Sequence, residues 1–240
     1  MNGGEFFSRS EALLGSEAMA RLKSARVLVI GVGGVGSWCA EALVRTGVGK
    51  IALVDDDVVA ESNVNRQCPA TAETIGRAKV EAMADRLRAI SPECEVEAIT
   101  ARYPSSLVSG LRSCSLVVDA IDSIDCKAEL ILAATKAGVP LVSSMGAALR
   151  TDPTKVKVTR FEKVEGDGLA RALRQRFKKL SRFPETKFPC VWSSERPILN
   201  TETQRRGVKG EKGSLMQVTA VFGMCLASEA IKILTKGETR

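Results

Sequence analysis

Short apolar runs alternate with longer amphipathic segments along the first 144 residues of the chain. The runs at 26–30 and 50–54 are rich in valine, isoleucine and leucine, as expected for buried parallel strands. In segment 78–90 the apolar residues recur every three or four positions, which predicts a helix with one buried face. Further strands are predicted at 96–100, 116–118 and 139–144, and further helices at 16–24, 35–45 and 125–137. This alternation predicts an α/β fold with a Rossmann-like, doubly wound and mostly parallel sheet.

The pattern changes after residue 146. Residues 155–159 alternate in the manner of a half-exposed strand, which we expect to be antiparallel, and 168–182 predict a strongly basic helix. Ser214 and Gln217 have the spacing of a capping box, so the last helix is expected to begin at Ser214. The fold therefore ends in a C-terminal extension of antiparallel strand and helices.

Composition excludes several classes of chemistry. The 240 residues are 45% hydrophobic, enough for the core of one large domain without a disulfide or metal. The chain has no histidine, which excludes Ser-His or Cys-His catalysis, histidine-ligated metals and a histidine general base. Acid–base work would fall to Asp, Glu, Lys, Cys or the single tyrosine, Tyr103.

The cysteines predict a reducing compartment. There are seven of them, an odd number, and none is arranged as C-x-x-C, so we expect buried thiols, no zinc and a cytoplasmic protein. Glu5 precedes any apolar run, which argues against a signal peptide. The last helix has the length of a membrane span, but its polar residues favour a core helix over a stable span.

The positive charge is concentrated in the C-terminal part of the chain. Residues 1–150 contain 16 Lys and Arg against 18 Asp and Glu, whereas residues 151–240 contain 19 against 10. Such asymmetry predicts an anionic partner, nucleic acid rather than membrane, although a merely solvated basic face is the alternative. Six cations and no acid lie between 171 and 182, and we expect them to contact phosphates: Arg171, Arg174, Arg176, Lys178, Lys179 and Arg182.

A glycine-rich turn, G-V-G-G-V-G at 31–36, joins the first strand to the next helix. Gly31 would make the tight turn, Gly33 and Gly34 would let the backbone approach a ligand, and Gly36 would let the helix pack closely on the sheet. Such a turn offers backbone N–H groups to a phosphate, so we expect 1–150 to be a nucleotide-binding core and 151–240 a basic extension within one domain.

Asp55 and Asp57 follow the second strand, where an acid can bind ribose hydroxyls. The glycine turn and these acids alone would fit NAD as the nucleotide. The next motifs favour ATP. Asn63-Val-Asn-Arg-Gln67 places amides and a cation beyond the acids, Lys79 begins a helix, and Asp119 and Asp122 end a later strand. Cations suit a triphosphate, and an aspartate beside it suits Mg²⁺. No Walker motif is present, which excludes a P-loop enzyme.

These motifs together resemble the ubiquitin-activating-type adenylyltransferases, in which ATP adenylates a carboxylate. The resemblance implies that Asp57 binds the ribose, that Asn65, Arg66 and Lys79 bind the phosphates, and that Asp122 binds Mg²⁺. Asp55 and Asn63 complete the candidate nucleotide-binding set. Arg9 resembles the arginine that reaches the neighbouring subunit's ATP in this family, which implies a homodimer. The candidate catalytic residues are Arg9, Arg66, Lys79 and Asp122.

A narrower resemblance is to the tRNA threonylcarbamoyladenosine dehydratases. It rests on F-S-R-S-E-A-L-L-G (7–15), G-V-G-S-W (34–38), V-D-A-I-D-S (118–123), S-S-M-G-A (143–147) and D-P-T (152–154). It implies ATP-dependent cyclisation of the modified base through a carboxyl-adenylate, with the basic helix on the anticodon arm. Some relatives carry a cysteine in the loop before the last helix, implicated in a sulfur relay. Residues 205–213 have none, and Cys190 is the nearest candidate.

Two other functions fit the same motifs. One is activation of a sulfur-carrier or ubiquitin-like protein, whose activators usually hold zinc with two C-x-x-C pairs that this chain lacks. The other is a nucleotide-dependent tRNA-binding module without catalysis.

Overall fold

The computed structural model describes residues 5–102, 108–198 and 213–236, and the fold and the contacts are those of these residues. One seven-stranded sheet has the strand order β3-β2-β1-β4-β5-β7-β6, and every strand pair is parallel except β6–β7. The strands are β1 (Arg26–Ile30), β2 (Lys50–Asp55), β3 (Glu95–Thr100), β4 (Leu116–Asp119), β5 (Leu141–Ser144), β6 (Val156–Arg160) and β7 (Pro189–Ser193). The predicted doubly wound, mostly parallel sheet with an antiparallel C-terminal strand is confirmed.

Helices cover both faces of the sheet. They are α1 (Ser8–Leu14), α2 (Ser16–Ser24), α3 (Gly36–Thr46), α4 (Lys79–Ile90), α5 (Ile124–Ala137), α6 (Gly168–Leu180) and α7 (Met216–Thr235). Val27 and Val29 of β1 pack with α2, α3, α4 and α7, whereas Leu28 and Ile30 face the core formed with α5 and α6. Alternate residues of a strand point to opposite faces, so this central strand is buried on both sides.

The C-terminal part of the chain joins the same sheet through β6 and β7. The strand β7 was not predicted, although Cys190, Val191, Trp192 and Ser193 are buried within it. Helix α6 ends at Leu180, earlier than expected, because Ser181 adopts a left-handed conformation with φ of 50°. The predicted capping box is wrong: α7 begins at Met216, and its N-cap residue makes no side-chain capping hydrogen bond.

Helix α7 is long and apolar enough to cross a membrane by length and composition, with a mean hydropathy of 1.5. In the structure it packs closely on α3: a Cβ atom at Gly223 would lie 2.6 Å from the carbonyl oxygen of Val35. Phe222 and Leu226 are fully buried beside it. Core helices pass the same length and composition test, so the test is weak evidence for a membrane span.

Candidate functional site

The glycine turn lies at the carboxyl end of β1. Gly31 has a φ of +90°, and a Cβ atom there would lie 2.6 Å from the carbonyl oxygen of Ala120. A Cβ atom at Gly36 would lie 1.8 Å from the carbonyl oxygen of Gly31, so both positions require glycine. Over Gly33 there is room, since a Cβ atom there would meet only the Gln67 amide nitrogen, at 3.9 Å. The turn thus leaves space above Gly33, next to the N-terminus of α3, where a phosphate can approach.

Asp55, at the end of β2, supports this turn from inside the protein. Its two carboxylate oxygens accept hydrogen bonds from the backbone N–H groups of Val32 (2.7 Å) and Asp57 (2.9 Å). Burial raises the pKa of this carboxyl, although both backbone hydrogen bonds act in the opposite direction. Asp55 therefore shapes the turn, and its oxygens are already engaged without a nucleotide.

Asp57 and Lys79 form an ion pair beside the turn. The Lys79 ammonium, only 7% exposed, lies 2.6 Å from a carboxylate oxygen of Asp57, which is 66% exposed. The backbone N–H of Lys79 also donates to the carbonyl of Asp57. The first residue of α4 is thus tied to the loop after β2, and the two predicted side chains are brought together.

The loop that carries Arg66 follows a short 3₁₀ turn at Glu61–Asn63. Asn63 is buried and accepts a hydrogen bond from the N–H of Ala60, so it caps this turn from within. The Arg66 guanidinium donates to the carbonyl of Ser62 and to the side chain of Asn65. A Cβ atom at Gly34 would lie 3.4 Å from Cγ of Arg66, which places Arg66 directly over the glycine turn.

The end of β4 contains a buried ion pair that the sequence analysis missed. Asp119 accepts a hydrogen bond from Ser143 (2.6 Å) and forms an ion pair with Lys127 (2.8 Å), whose two side chains are both 0% exposed. The Lys127 ammonium also donates to the carbonyl of Ile121, at 3.0 Å. The signal was present, because Lys127 shares the buried face of α5 with Ile131.

Asp122 differs from Asp119 because its side chain is exposed. Carboxylate oxygens of Asp55, Asp56 and Asp57 all lie within 4.8 Å of one another, so the end of β2 also offers oxygen ligands. Carboxylates of this kind suit Mg²⁺ when phosphate oxygens complete the coordination. Since Asp119 and Asp55 are engaged within the protein, Asp122 and the exposed acids after β2 are the carboxylates available to a metal.

Arg9 lies on α1, which packs against α2 on the outside of the domain. Its side chain is exposed. The structure therefore does not bring Arg9 together with the other candidate site residues of the same chain.

The predicted RNA-contacting residues of α6 fall into two groups. Arg171, Lys178, Lys179 and Arg182 are exposed. Arg174 donates to the carbonyl groups of Phe161 (2.9 Å) and Val164 (2.7 Å), and its guanidinium lies 5.1 Å from the centre of the Phe161 ring. Arg176 forms a 2.9 Å ion pair with Asp125 in the first turn of α5. These contacts argue against Arg174 as a phosphate ligand and link Arg176 to the segment after Asp122.

Cys190 lies in β7 and is fully buried. Burial raises the pKa of its thiol, which disfavours the thiolate needed for persulfide chemistry. The structure gives no support to a sulfur-relay role for this residue.

The ThiF family model matches residues 7–240 of the chain. The tRNA threonylcarbamoyladenosine dehydratase of Bacillus subtilis is 37% identical, over 96% of this chain and 94% of the relative. The crystal structure of the Escherichia coli tRNA N6-threonylcarbamoyladenosine dehydratase in complex with ATP is 38% identical, with a TM-score of 0.86, over 96% of this chain and 93% of that chain. The E. coli enzyme in complex with AMP is also 38% identical, with a TM-score of 0.87, over 96% and 94%.

Proposed function

The chain belongs to the ThiF family, and from that premise we propose that it is an ATP-dependent dehydratase of threonylcarbamoyladenosine in tRNA. The observation that carries the proposal is the likeness to dehydratases at 37–38% identity over more than nine-tenths of both chains. Since the substrate is a tRNA, we place the reaction in the cytoplasm.

The reaction has two steps. A carboxylate oxygen of the modified base attacks the α-phosphorus of ATP, and pyrophosphate leaves with the electrons of the broken P–O bond. A nitrogen of the modification then attacks the activated acyl carbon, loses its proton and expels AMP, which retains the carboxylate oxygen. No covalent bond to the protein is needed, so a chain without histidine can catalyse both steps by positioning and charge stabilisation.

The groups around the glycine turn match the nucleotide that this reaction needs. A phosphate can approach the backbone at Gly33, where a Cβ atom would meet only the Gln67 amide nitrogen, and the cations Arg66 and Lys79 would neutralise its charge. Asn65 lies beside Arg66 and orients its guanidinium. Asp57 keeps most of its carboxylate exposed, so it can accept hydrogen bonds from the ribose hydroxyls while Lys79 balances its charge.

Asp122 is the residue that we assign to Mg²⁺. It is the exposed carboxylate at the end of β4, whereas Asp119 of the same segment is fully engaged by Lys127 and Ser143. When bound, Mg²⁺ would neutralise the charge on the phosphates. Asp122 would hold it through one carboxylate, as is usual where phosphates supply the other ligands.

The tRNA is expected to contact α6. Its exposed cations are Arg171, Lys178 and Lys179, with Arg182 just beyond the helix, and phosphate contacts of this type position an RNA without reading its sequence. Arg176, through Asp125, connects the same helix to the start of α5, three residues after Asp122. This contact supports the proposal that a tRNA bound to α6 can reach the place where the adenylate would form.

Arg9 is assigned to the partner subunit's site in a homodimer. Its exposed position on α1, whose main contacts are with α2, supports a residue supplied in trans. Arg9→Ala and Arg66→Ala should each be nearly inactive alone. After mixing and subunit exchange, half of the dimers are hybrids with one intact site, so activity should return to roughly a quarter of wild type. Exchange without recovered activity would contradict the assignment.

The deciding experiment measures AMP release from ATP with tRNA that carries the modification and with the same tRNA lacking it. We expect AMP and the cyclic product in equal amounts with the first tRNA only. AMP release that requires a carrier-protein tail would identify an activator of such a protein, and absence of any turnover would leave only a nucleotide-dependent tRNA-binding module.

A further inference from the structure

The Gly-Ser-Trp segment at the start of α3 has contacts that nucleotide binding by the glycine turn does not explain. We propose that Ser37 and Trp38 are positioning residues that fix Arg66 above the glycine turn. The proposal rests on the proposed function, in which Arg66 contacts the phosphates of ATP.

Trp38 fastens the backbone of Arg66 itself. Its indole N–H donates a hydrogen bond of 3.0 Å to the carbonyl oxygen of Arg66. The tryptophan is held in turn by α7, because a Cβ atom at Gly223 would lie only 2.7 Å from Cβ of Trp38. The indole N–H can only donate a hydrogen bond, so the contact requires an acceptor, which the carbonyl of Arg66 supplies.

Ser37 joins the same loop to the glycine turn. Its hydroxyl donates to the carbonyl of Gly33 (2.7 Å) and accepts from the backbone N–H of Cys68 (3.1 Å), and the side chain is completely buried. This buried serine thus connects the glycine turn, through Gly33, to the loop that carries Arg66, through Cys68.

Glu41, one turn further along α3, completes the attachment. It is almost fully buried and accepts from the Cys68 thiol (2.8 Å), from Arg86 and from Arg45. Burial acts to raise the pKa of this carboxyl, but the hydrogen bond from Arg86, helped by those from Cys68 and Arg45, lowers it to about 2. The loop is therefore anchored to a charged, rigid support on α3.

These contacts make the position of Arg66 independent of a ligand. The loop is fixed at residues 66 and 68, and the arginine stem lies against Gly34, so little freedom is lost when a triphosphate binds. Removing one neutral hydrogen bond that orients this loop should weaken triphosphate binding about 3- to 10-fold.

The chain supplies a matched control for Trp38. The only other tryptophan, Trp192, donates its indole N–H to the hydroxyl of Thr159 at 2.9 Å, between β7 and β6. Trp38→Phe and Trp192→Phe each remove one indole donor and keep an aromatic ring. The affinities of both variants for ATP–Mg²⁺ and for adenosine, measured by calorimetry, separate positioning of Arg66 from a general loss of stability.

We expect Trp38→Phe to lose 3- to 10-fold in ATP affinity with unchanged adenosine affinity, and Trp192→Phe to bind both ligands as wild type does. Ser37→Ala should lose ATP affinity to the same extent as Trp38→Phe, and it replaces that variant in the test if Trp38→Phe does not fold. In an Arg66→Ala background, neither change should weaken ATP binding further. Equal losses in both tryptophan variants, or equal losses for ATP and adenosine, would overturn the proposal. Normal ATP binding with no turnover of modified tRNA would reject the proposed function alone.

Discussion

The strands β2 and β4 both end in an acid that is engaged within the protein and is followed by an exposed one, but the two ends stabilise the engaged acid differently. Asp55, the half-buried last residue of β2, accepts hydrogen bonds from two backbone N–H groups, and burial raises its pKa. Asp119, in β4, faces a fully buried lysine and a serine hydroxyl. The carboxylate of Asp55 is therefore held mainly by backbone dipoles, with a further contribution from the charge of Lys79, whereas that of Asp119 forms a direct ion pair.

The exposed acids differ as well. Asp57 is paired with Lys79, and Asp122 lies beyond a segment that Lys127 holds through the carbonyl of Ile121. In the proposed site, the first acid of each strand end supports the backbone and the second would face the ligand. Lys127 contacts both Asp119 and the carbonyl of Ile121, so the end of β4 is held at two points next to the residue proposed to bind a metal.

The largest expected effect is on folding. Asp119→Asn leaves the Lys127 ammonium buried without a counter-charge, which should cost about 3–5 kcal/mol in the free energy of unfolding. Asp125→Asn is the matched control on the same segment, since Asp125 is exposed and its ion pair with the half-buried Arg176 should contribute at most about 1 kcal/mol. Urea unfolding measures both. Equal losses would show that the buried pair is no stronger than the exposed one.

The second effect is on catalysis. Asp122→Asn should reduce AMP release about 100- to 1,000-fold while the unfolding midpoint stays unchanged, because the side chain is exposed. Asp56→Asn, at an exposed acid after β2, is the control and should remain active. The reverse result, with Asp56→Asn inactive and Asp122→Asn active, would move the metal to the acids after β2.

The same division into engaged and exposed groups predicts a third effect on α6. Replacing Lys178 and Lys179 by glutamine should reduce the salt dependence of tRNA binding. The slope of log K against log salt concentration should become shallower by roughly 0.7–0.9 per lost phosphate contact. Arg174→Gln should instead destabilise the fold, because its guanidinium is bonded to two carbonyl groups. An unchanged slope in the lysine variant would indicate a basic face that is only solvated.

The alternating strands and helices could be predicted from the sequence because the spacing of apolar residues differs between the two and is visible within each segment. It also placed the glycine turn and the acids at the correct strand ends and Lys79 at the start of its helix, since these positions follow directly from the element boundaries. It missed α1, which has no buried residue, and β7, a five-residue strand without a polar alternation. It did not separate the buried Asp119 from the exposed acids, because this separation depends on how Ser143 of β5 and Lys127 of α5 pack against the end of β4, which no single local pattern shows.

The smallest expected effect concerns Asp55 and its pH dependence. The pKa of Asp55 is raised in the folded protein because burial disfavours the charged form. A raised pKa means that this group favours the fold below its unfolded pKa and that the contribution is lost as the pH rises through the folded pKa. Asp55→Asn removes this titration and leaves one amide hydrogen facing a backbone N–H, so it should lower the free energy of unfolding by less than about 1 kcal/mol near pH 7.

The difference in unfolding free energy between wild type and Asp55→Asn should then widen as the pH falls from 7 towards 4, as measured by urea unfolding at several pH values. A difference that narrows over this range would mean that the two backbone N–H groups outweigh burial and that the pKa of Asp55 is lowered in the folded protein.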